Sequence, residues 1–317
     1  MTNYETLVKV CNHKEVIIPV SEHRKPDGSM DIERNLTTWN KAVEQFETIK
    51  LWDKETPEFD DRDPLQIEPN IIFIPSIKGQ LSGTIIVACG GGFETRTGCE
   101  GFHVAKYFVE AGFNCAILTY RLKPYGRKHA MMDMQRAIRL IRARKEELHV
   151  TDQIICMGFS AGGMLAGNCA THFDLGIKDS NDPIDKESCR PDGIVLGYGA
   201  FTFAANPPGF FIDPFGSKIM NPFFANKEEL LYYSPEINIK PDTPPFFIWQ
   251  TNSDDPRNSF NFGKALTANG VPFEMHLFPQ GVHGMALADG NNDLGLAYPQ
   301  VQQWATLCVG WLNNLGL

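Results

Sequence analysis

The six residues Gly158-Phe159-Ser160-Ala161-Gly162-Gly163 constrain this chain more than any other stretch. Ahead of them Ile154-Ile155-Cys156-Met157 is a short apolar run that reads as a buried strand. Behind them Met164-Leu165-Ala166-Gly167-Asn168-Cys169-Ala170 is small and apolar enough to be a packed helix. A strand that turns sharply into a helix, with a serine at the tip of the turn, lifts the hydroxyl clear of the sheet. Glycines suit positions 158 and 162 because such a turn strains the backbone and leaves no room for Cβ atoms. The backbone N–H of Ala161 then faces a reacting carbonyl. Over six residues alone, a glycine-rich turn with an incidental serine reads the same way, so the rest of the chain has to separate the two.

From residue 83 apolar strands and helical stripes alternate, which predicts a mainly parallel sheet with helices on both faces. The strands are read at 84–88, 116–120, 154–157, 193–198, 245–249 and 273–278. Phe102, Ala105, Phe108 and Val109 mark one helix that ends at Gly112. Met134, Ala137, Ile138 and Ile141 mark another, and Val301, Trp304, Ala305, Cys308, Trp311 and Leu312 give the last helix its buried face. Earlier in the chain, residues 48–52 read as an edge strand and 71–75 as a further strand. Residues 1–46 form an N-terminal extension of uncertain structure, with a candidate strand at Val16-Ile17-Ile18-Pro19-Val20 and a short helix from Thr38 to Phe46. Residues 47–317 read as one α/β domain. Within it, residues 201–243 break the alternation with an insertion rich in phenylalanine and tyrosine, placed to cap the ends of the strands where ligands bind in open sheets.

Composition narrows the function. The 317 residues carry a formal net charge of −9 and no basic run, against a nucleic-acid-binding face. No window approaches the ~20 apolar residues that span a bilayer, and the first residues lack a basic-then-apolar leader. The expectation is a cytoplasmic protein. The eight cysteines are spaced as buried thiols rather than a disulfide framework. Neither a Cys-x-x-Cys pair nor paired histidines appear, so neither a metal nor a cofactor is expected.

Three further stretches supply chemistry. Cys89-Gly90-Gly91-Gly92-Phe93 follows the strand at 84–88, where glycine N–H groups can point at a developing oxyanion. Gly91 and Gly92, together with Ala161, are the candidate donors, each worth roughly 3 kcal/mol in a transition state. A phosphate-binding loop would need a Lys-Ser/Thr pair that is absent here. His283, in Gly281-Val282-His283-Gly284, stands just after the last strand and can swing over the serine. His276 reads as structural, and His103 and His129 as surface residues. Asp254 and Asp255 follow the strand at 245–249, where an acid can orient an imidazole. Adjacent side chains on an extended loop face opposite ways. Asp255 precedes Pro256 and suits the cap of the helix that runs to Gly270, which leaves Asp254 for His283 and Asp255 as the alternative. The chain order Ser, Asp, His is that of the α/β hydrolases.

On these residues the sequence resembles the acetyl xylan esterase-like (BD-FAE-like) carboxylesterases and lipases of the α/β-hydrolase superfamily. The matching pieces are Leu51-Trp52, Cys89 to Phe93, Glu100-Gly101, Tyr120-Arg121-Leu122, Gly158 to Gly163, Tyr233-Ser234-Pro235-Glu236, Thr243-Pro244-Pro245 and Gly281 to Gly284. Two departures stand out: Cys89 replaces the proline or histidine that usually precedes the glycine loop, and the loop after the acid is shorter. The resemblance implies an α/β-hydrolase fold and a serine carboxylic ester hydrolase, deacetylating acetylated sugars or other small esters. Its partner would be a small-molecule ester, with no nucleic acid or membrane involved and with homo-oligomerisation left open. Two alternatives stay open: a serine peptidase of the prolyl-oligopeptidase type, and a hydrolase-fold binding protein without catalysis.

Overall fold

The computed structural model describes residues 1–13, 25–60, 63–204, 226–292 and 294–317. In chain order the elements are α1 (Asn3–Asn12), α2 (Ile32–Val43), β1 (Ile49–Lys50), β2 (Asn70–Ile74), β3 (Thr84–Ala88), α3 (Val104–Ala111), β4 (Asn114–Thr119), α4 (Arg127–Ala143), α5 (Lys145–Leu148) and β5 (Ile154–Phe159). They continue with α6 (Ala161–Thr171), β6 (Gly193–Gly197), α7 (Lys227–Tyr232), α8 (Pro235–Asn238), β7 (Phe246–Thr251), α9 (Pro256–Ala268), β8 (Phe273–Phe278) and α10 (Pro299–Asn314). A π-helical turn, Cys99–His103, leads into α3.

The described strands form one sheet in the order β1-β2-β4-β3-β5-β6-β7-β8. β3 to β8 run parallel, while β2 pairs antiparallel with β4 and β1 antiparallel with β2. β3, β4, β5, β6 and β7 are buried along their whole length, which is why each appears in the sequence as an unbroken apolar run. Their alternate residues feed two cores. Ile85, Val87, Ile155, Met157 and Phe159 face α1, α3 and α10, and Ile86, Ala88, Ile154 and Cys156 face α4, α6 and α9.

The N-terminal stretch, the part least legible in the sequence, is helical. α1 has no counterpart among the expected elements, although Thr2 and Glu5 form a reciprocal capping box at its start. α2 begins at Ile32, well before the expected Thr38, because the Asp31 side chain accepts the Arg34 N–H and starts the helix there. Both helices bury Leu7, Val10, Trp39 and Ala42 in the same core as the sheet. The strand expected at Val16 to Val20 lies outside the described residues. His103 and His129, expected on the surface, are half-buried, and burial lowers the pKa of His103.

One buried ion pair fixes the carboxyl end of β4. Arg121 and Asp133 are both fully enclosed, joined by Arg121 Nη2 to Asp133 Oδ1 at 2.7 Å, and the Arg121 N–H donates to Asp133 Oδ2 at 2.7 Å. Arg121 Nη1 reaches on to the Pro57 carbonyl at 2.6 Å. Burial pushes the Asp133 carboxyl up to about 6, with the guanidinium pulling it the other way. A carboxyl raised on folding favours the folded state at low pH and loses that contribution as pH rises through the folded-state value. Arg121→Met strands the carboxylate and should cost about 3–5 kcal/mol at pH 8. The deficit should shrink between pH 8 and pH 5 as Asp133 takes up a proton, which urea-melt midpoints across that range will measure.

Candidate active site

The serine sits where a central strand meets a helix that comes unusually close to it. Ser160 follows β5 directly and precedes α6, with φ 50° and ψ −118°. Such a conformation costs of order 1–3 kcal/mol for a residue with a side chain. The neighbouring glycines are required for space, not for angle. A Cβ on Gly158 would lie 2.0 Å from the Gly162 carbonyl oxygen, and one on Gly162 would lie 2.1 Å from the Ala88 carbonyl oxygen. The reading that glycines absorb the strained angles is therefore corrected: the serine itself carries the positive φ, and the glycines let strand and helix touch.

His283 arrives from the loop after β8, and its imidazole bridges two side chains. Nε2 lies 2.8 Å from Ser160 Oγ, and Nδ1 lies 2.9 Å from Asp254 Oδ1. Ser160 and His283 are both half-buried, open enough for a ligand to approach. Asp255 points elsewhere: its carboxylate accepts the Arg257 N–H at 3.0 Å as the N-cap of α9 and pairs with the Arg257 guanidinium, which lowers its pKa. The structure thus brings Ser160, His283 and Asp254 together and leaves Asp255 on the helix end.

The glycine loop lies beside the serine. Gly91 has φ 123° and Gly92 φ 65°, both in the region that favours glycine. The Gly91 carbonyl is turned inward, accepting the N–H groups of Glu94 at 3.0 Å and Thr95 at 2.9 Å. Among the described residues nothing accepts from the N–H groups of Gly91, Gly92 or Ala161. The Ala161 N–H is also at the N-terminus of α6, where the helix dipole favours negative charge. Cys89, at the start of the loop, is fully buried and its thiol is pushed up to about 12, so it offers no nucleophile. Chemically, the arrangement has a hydroxyl with an adjacent base, an acid orienting that base, and unpaired N–H groups beside them.

Sequence reasoning missed two residues that hold this site together. Tyr198, at the end of β6, presents its ring edge-on to the His283 imidazole with centroids 5.0 Å apart. Asn258, one turn into α9, donates to the Gly199 carbonyl at 2.7 Å and accepts the N–H groups of Phe201 at 2.8 Å and Thr202 at 3.1 Å. On the other flank of the insertion, Glu236 accepts the Ala204 N–H at 2.6 Å. Only the match of Tyr233-Ser234-Pro235-Glu236 to a family motif pointed at Glu236. No local pattern pointed at Tyr198 or Asn258. Of the aromatic insertion, Phe201, Phe203, Tyr232 and Tyr233 are described, and Phe210, Phe211, Phe215, Phe223 and Phe224 lie outside the described residues.

Comparisons with known proteins agree with this architecture. The model of one family, described as BD-FAE, matches residues 71–262. An acetyl ester-xyloside bifunctional hydrolase from Caldicellulosiruptor lactoaceticus is 34% identical, with a TM-score of 0.75 over 85% of this chain and 96% of that one. A carboxylesterase from Lactobacillus plantarum shares the fold at 24% identity, with a TM-score of 0.62 over 78% of this chain and 93% of that one. Endo-1,4-beta-xylanase B from Butyrivibrio fibrisolvens is 30% identical over 310 residues, 91% of this chain. The chain spans about half the length of that relative, 47%. No helix among the described residues is long and apolar enough to cross a membrane.

A fluorophosphonate probe should label this chain at Ser160, mapped by peptide mass spectrometry. Asp254→Asn should slow that labelling by roughly a thousandfold or more, since the imidazole loses its orienting acceptor. Asp255→Asn should label at close to the native rate, because asparagine also caps helices.

Proposed function

The chain belongs to the BD-FAE family and has the α/β-hydrolase fold, and from that premise we propose that it is a serine carboxylic ester hydrolase that removes acetyl groups from acetylated sugars or similar small esters. One observation carries the proposal: Ser160 Oγ, His283 and Asp254 lie in unbroken hydrogen-bond reach, at 2.8 and 2.9 Å. In the proposed reaction Ser160 Oγ attacks the ester carbonyl as His283 Nε2 takes its proton. Asp254 holds the imidazole by its Nδ1–H and stabilises the charge that forms. The N–H groups of Gly91, Gly92 and Ala161 bind the tetrahedral oxyanion. His283 then protonates the departing alcohol. A water molecule, deprotonated by the same nitrogen, cleaves the acyl-enzyme and regenerates the hydroxyl. No step calls for a metal or cofactor.

The acetyl preference rests on the bulk around the insertion. Phe201, Phe203 and Tyr233 are buried together with Phe93 of the glycine loop, which supports a short acyl pocket. The likeness to an acetyl ester-xyloside bifunctional hydrolase supports the sugar-ester class. The test is a panel of p-nitrophenyl acetate, butyrate and octanoate beside a proline-containing peptide amide. Acetate should be cleaved fastest and the amide left intact. Ser160→Ala should lower ester turnover by roughly a millionfold without unfolding the chain. Faster cleavage of octanoate would replace the small-acyl assignment with an open, lipase-like pocket, and cleavage of the amide would favour the peptidase.

A further inference from the structure

Glu100 is a buried carboxylate, 2% exposed, set in the π-helical turn that leads into α3. Such turns recur at functional sites. A carboxylate taken out of water is costly unless donors replace the solvent. Glu100 has three, drawn from separate parts of the chain. Oε2 accepts the Gly90 N–H at 2.5 Å and the Thr97 hydroxyl, and Oε1 accepts the Tyr198 hydroxyl at 2.7 Å.

Each distant donor leads to a different half of the site. Gly90 is wedged between this carboxylate and the nucleophile: a Cβ there would lie 2.7 Å from Glu100 Oε2 and 2.8 Å from Ser160 Cβ. The next two residues are Gly91 and Gly92, so fixing the Gly90 N–H fixes where the oxyanion donors start. Tyr198 passes the constraint the other way. Its oxygen accepts the Ala286 N–H at 2.9 Å, three residues beyond His283, and its ring faces the imidazole. Ala286 stands at φ 47°, a strained angle for a residue with a side chain, and Trp304 Nε1 holds its carbonyl at 2.9 Å. Tyr198 is itself at φ 37°, next to Gly197, whose carbonyl accepts the Ser160 N–H at 3.0 Å.

We infer that Glu100 is a positioning residue that, through Gly90 on one side and Tyr198 on the other, holds the oxyanion loop and the histidine loop in a single register around Ser160. This rests on the ester-hydrolase reading above. Glu100 touches no substrate in this assignment. A carboxylate with a purely structural part would lower stability and leave the turnover of the folded protein unchanged.

The test uses the purified chain and p-nitrophenyl acetate, with the folded fraction set by circular dichroism and Ser160→Ala as the floor. Tyr198→Phe keeps the ring and removes only the hydroxyl. Glu100→Gln keeps the shape, and Glu100→Asp keeps the charge but shortens the reach. Tyr198→Phe and Glu100→Asp should each lower kcat by ~10–100-fold, with KM within about twofold of native, because misplacing the reacting groups costs rate more than binding. Glu100→Gln should lose less than Glu100→Asp, since its amide can still span both partners. The double variant Glu100→Asp with Tyr198→Phe should fall no more than about threefold below the worse single, as expected when both substitutions cut one link. Turnover of folded Tyr198→Phe and Glu100→Asp within threefold of native, or losses that multiply in the double variant, would overturn the inference. If the Glu100 variants do not fold, Tyr198→Phe decides alone: an unchanged kcat overturns it. Retained activity in Ser160→Ala would instead sink the ester-hydrolase reading.

Discussion

The close crossing of β5 and α6 is the constraint on which the site depends. At Gly158 and Gly162 the strand, the helix and the end of β3 approach until a methyl group has no space, with carbonyl oxygens 2.0 and 2.1 Å from where it would be. That approach forces Ser160 to turn through an angle few residues tolerate. The strain is held because β5 is paired on both sides, to β3 and β6, and is buried throughout. Small residues along α6, including Gly163, Ala166 and Gly167, let the helix settle onto the sheet with every position buried. The hydroxyl is therefore presented from a buried strand paired on both sides, which suits chemistry that depends on sub-ångström placement.

Parallel strands deliver the other groups. Because β3, β5, β6, β7 and β8 all run the same way, the segments after them open at one edge of the sheet. Gly91 and Gly92 follow β3, Ser160 follows β5, Tyr198 follows β6, Asp254 follows β7 and His283 follows β8. Residues spread over nearly two hundred positions of sequence thus meet at one edge of the sheet.

This geometry also explains what could be read from the sequence. Strands buried on both faces must be continuous apolar runs, so Thr84–Ala88 is legible to the residue and β4 to β7 to within two, while the partly exposed Phe273–Phe278 shows instead as alternation, with Glu274 and His276 between Phe273, Met275 and Leu277. Local patterns also place side chains: the serine sits between its glycines, and Pro256 sets Asp255 at the helix cap and leaves Asp254 beside His283. The N-terminal helices were harder because each is short and half-exposed, so their apolar stripes are brief, and their clearest signs were caps at Thr2 and Asp31. Glu100 is marked only by the Glu100-Gly101 match to a family motif, which does not say what it contacts, and Tyr198 by nothing. They are 98 residues apart, and nothing near either one states that a carboxylate and a phenol will meet behind the serine. His103 and His129 misled for a related reason: position near a helix start does not reveal which neighbours close over the ring.

The two flanks of the aromatic insertion are pinned before and after it. Asn258 grips residues 199–202 through both ends of its amide, and Glu236 takes the N–H of Ala204 from the far side. Asn258 belongs to the same helix whose entry loop carries Asp254. Residues 199–202 are thereby tied to the helix whose entry loop holds Asp254, so any displacement of that helix end carries both with it.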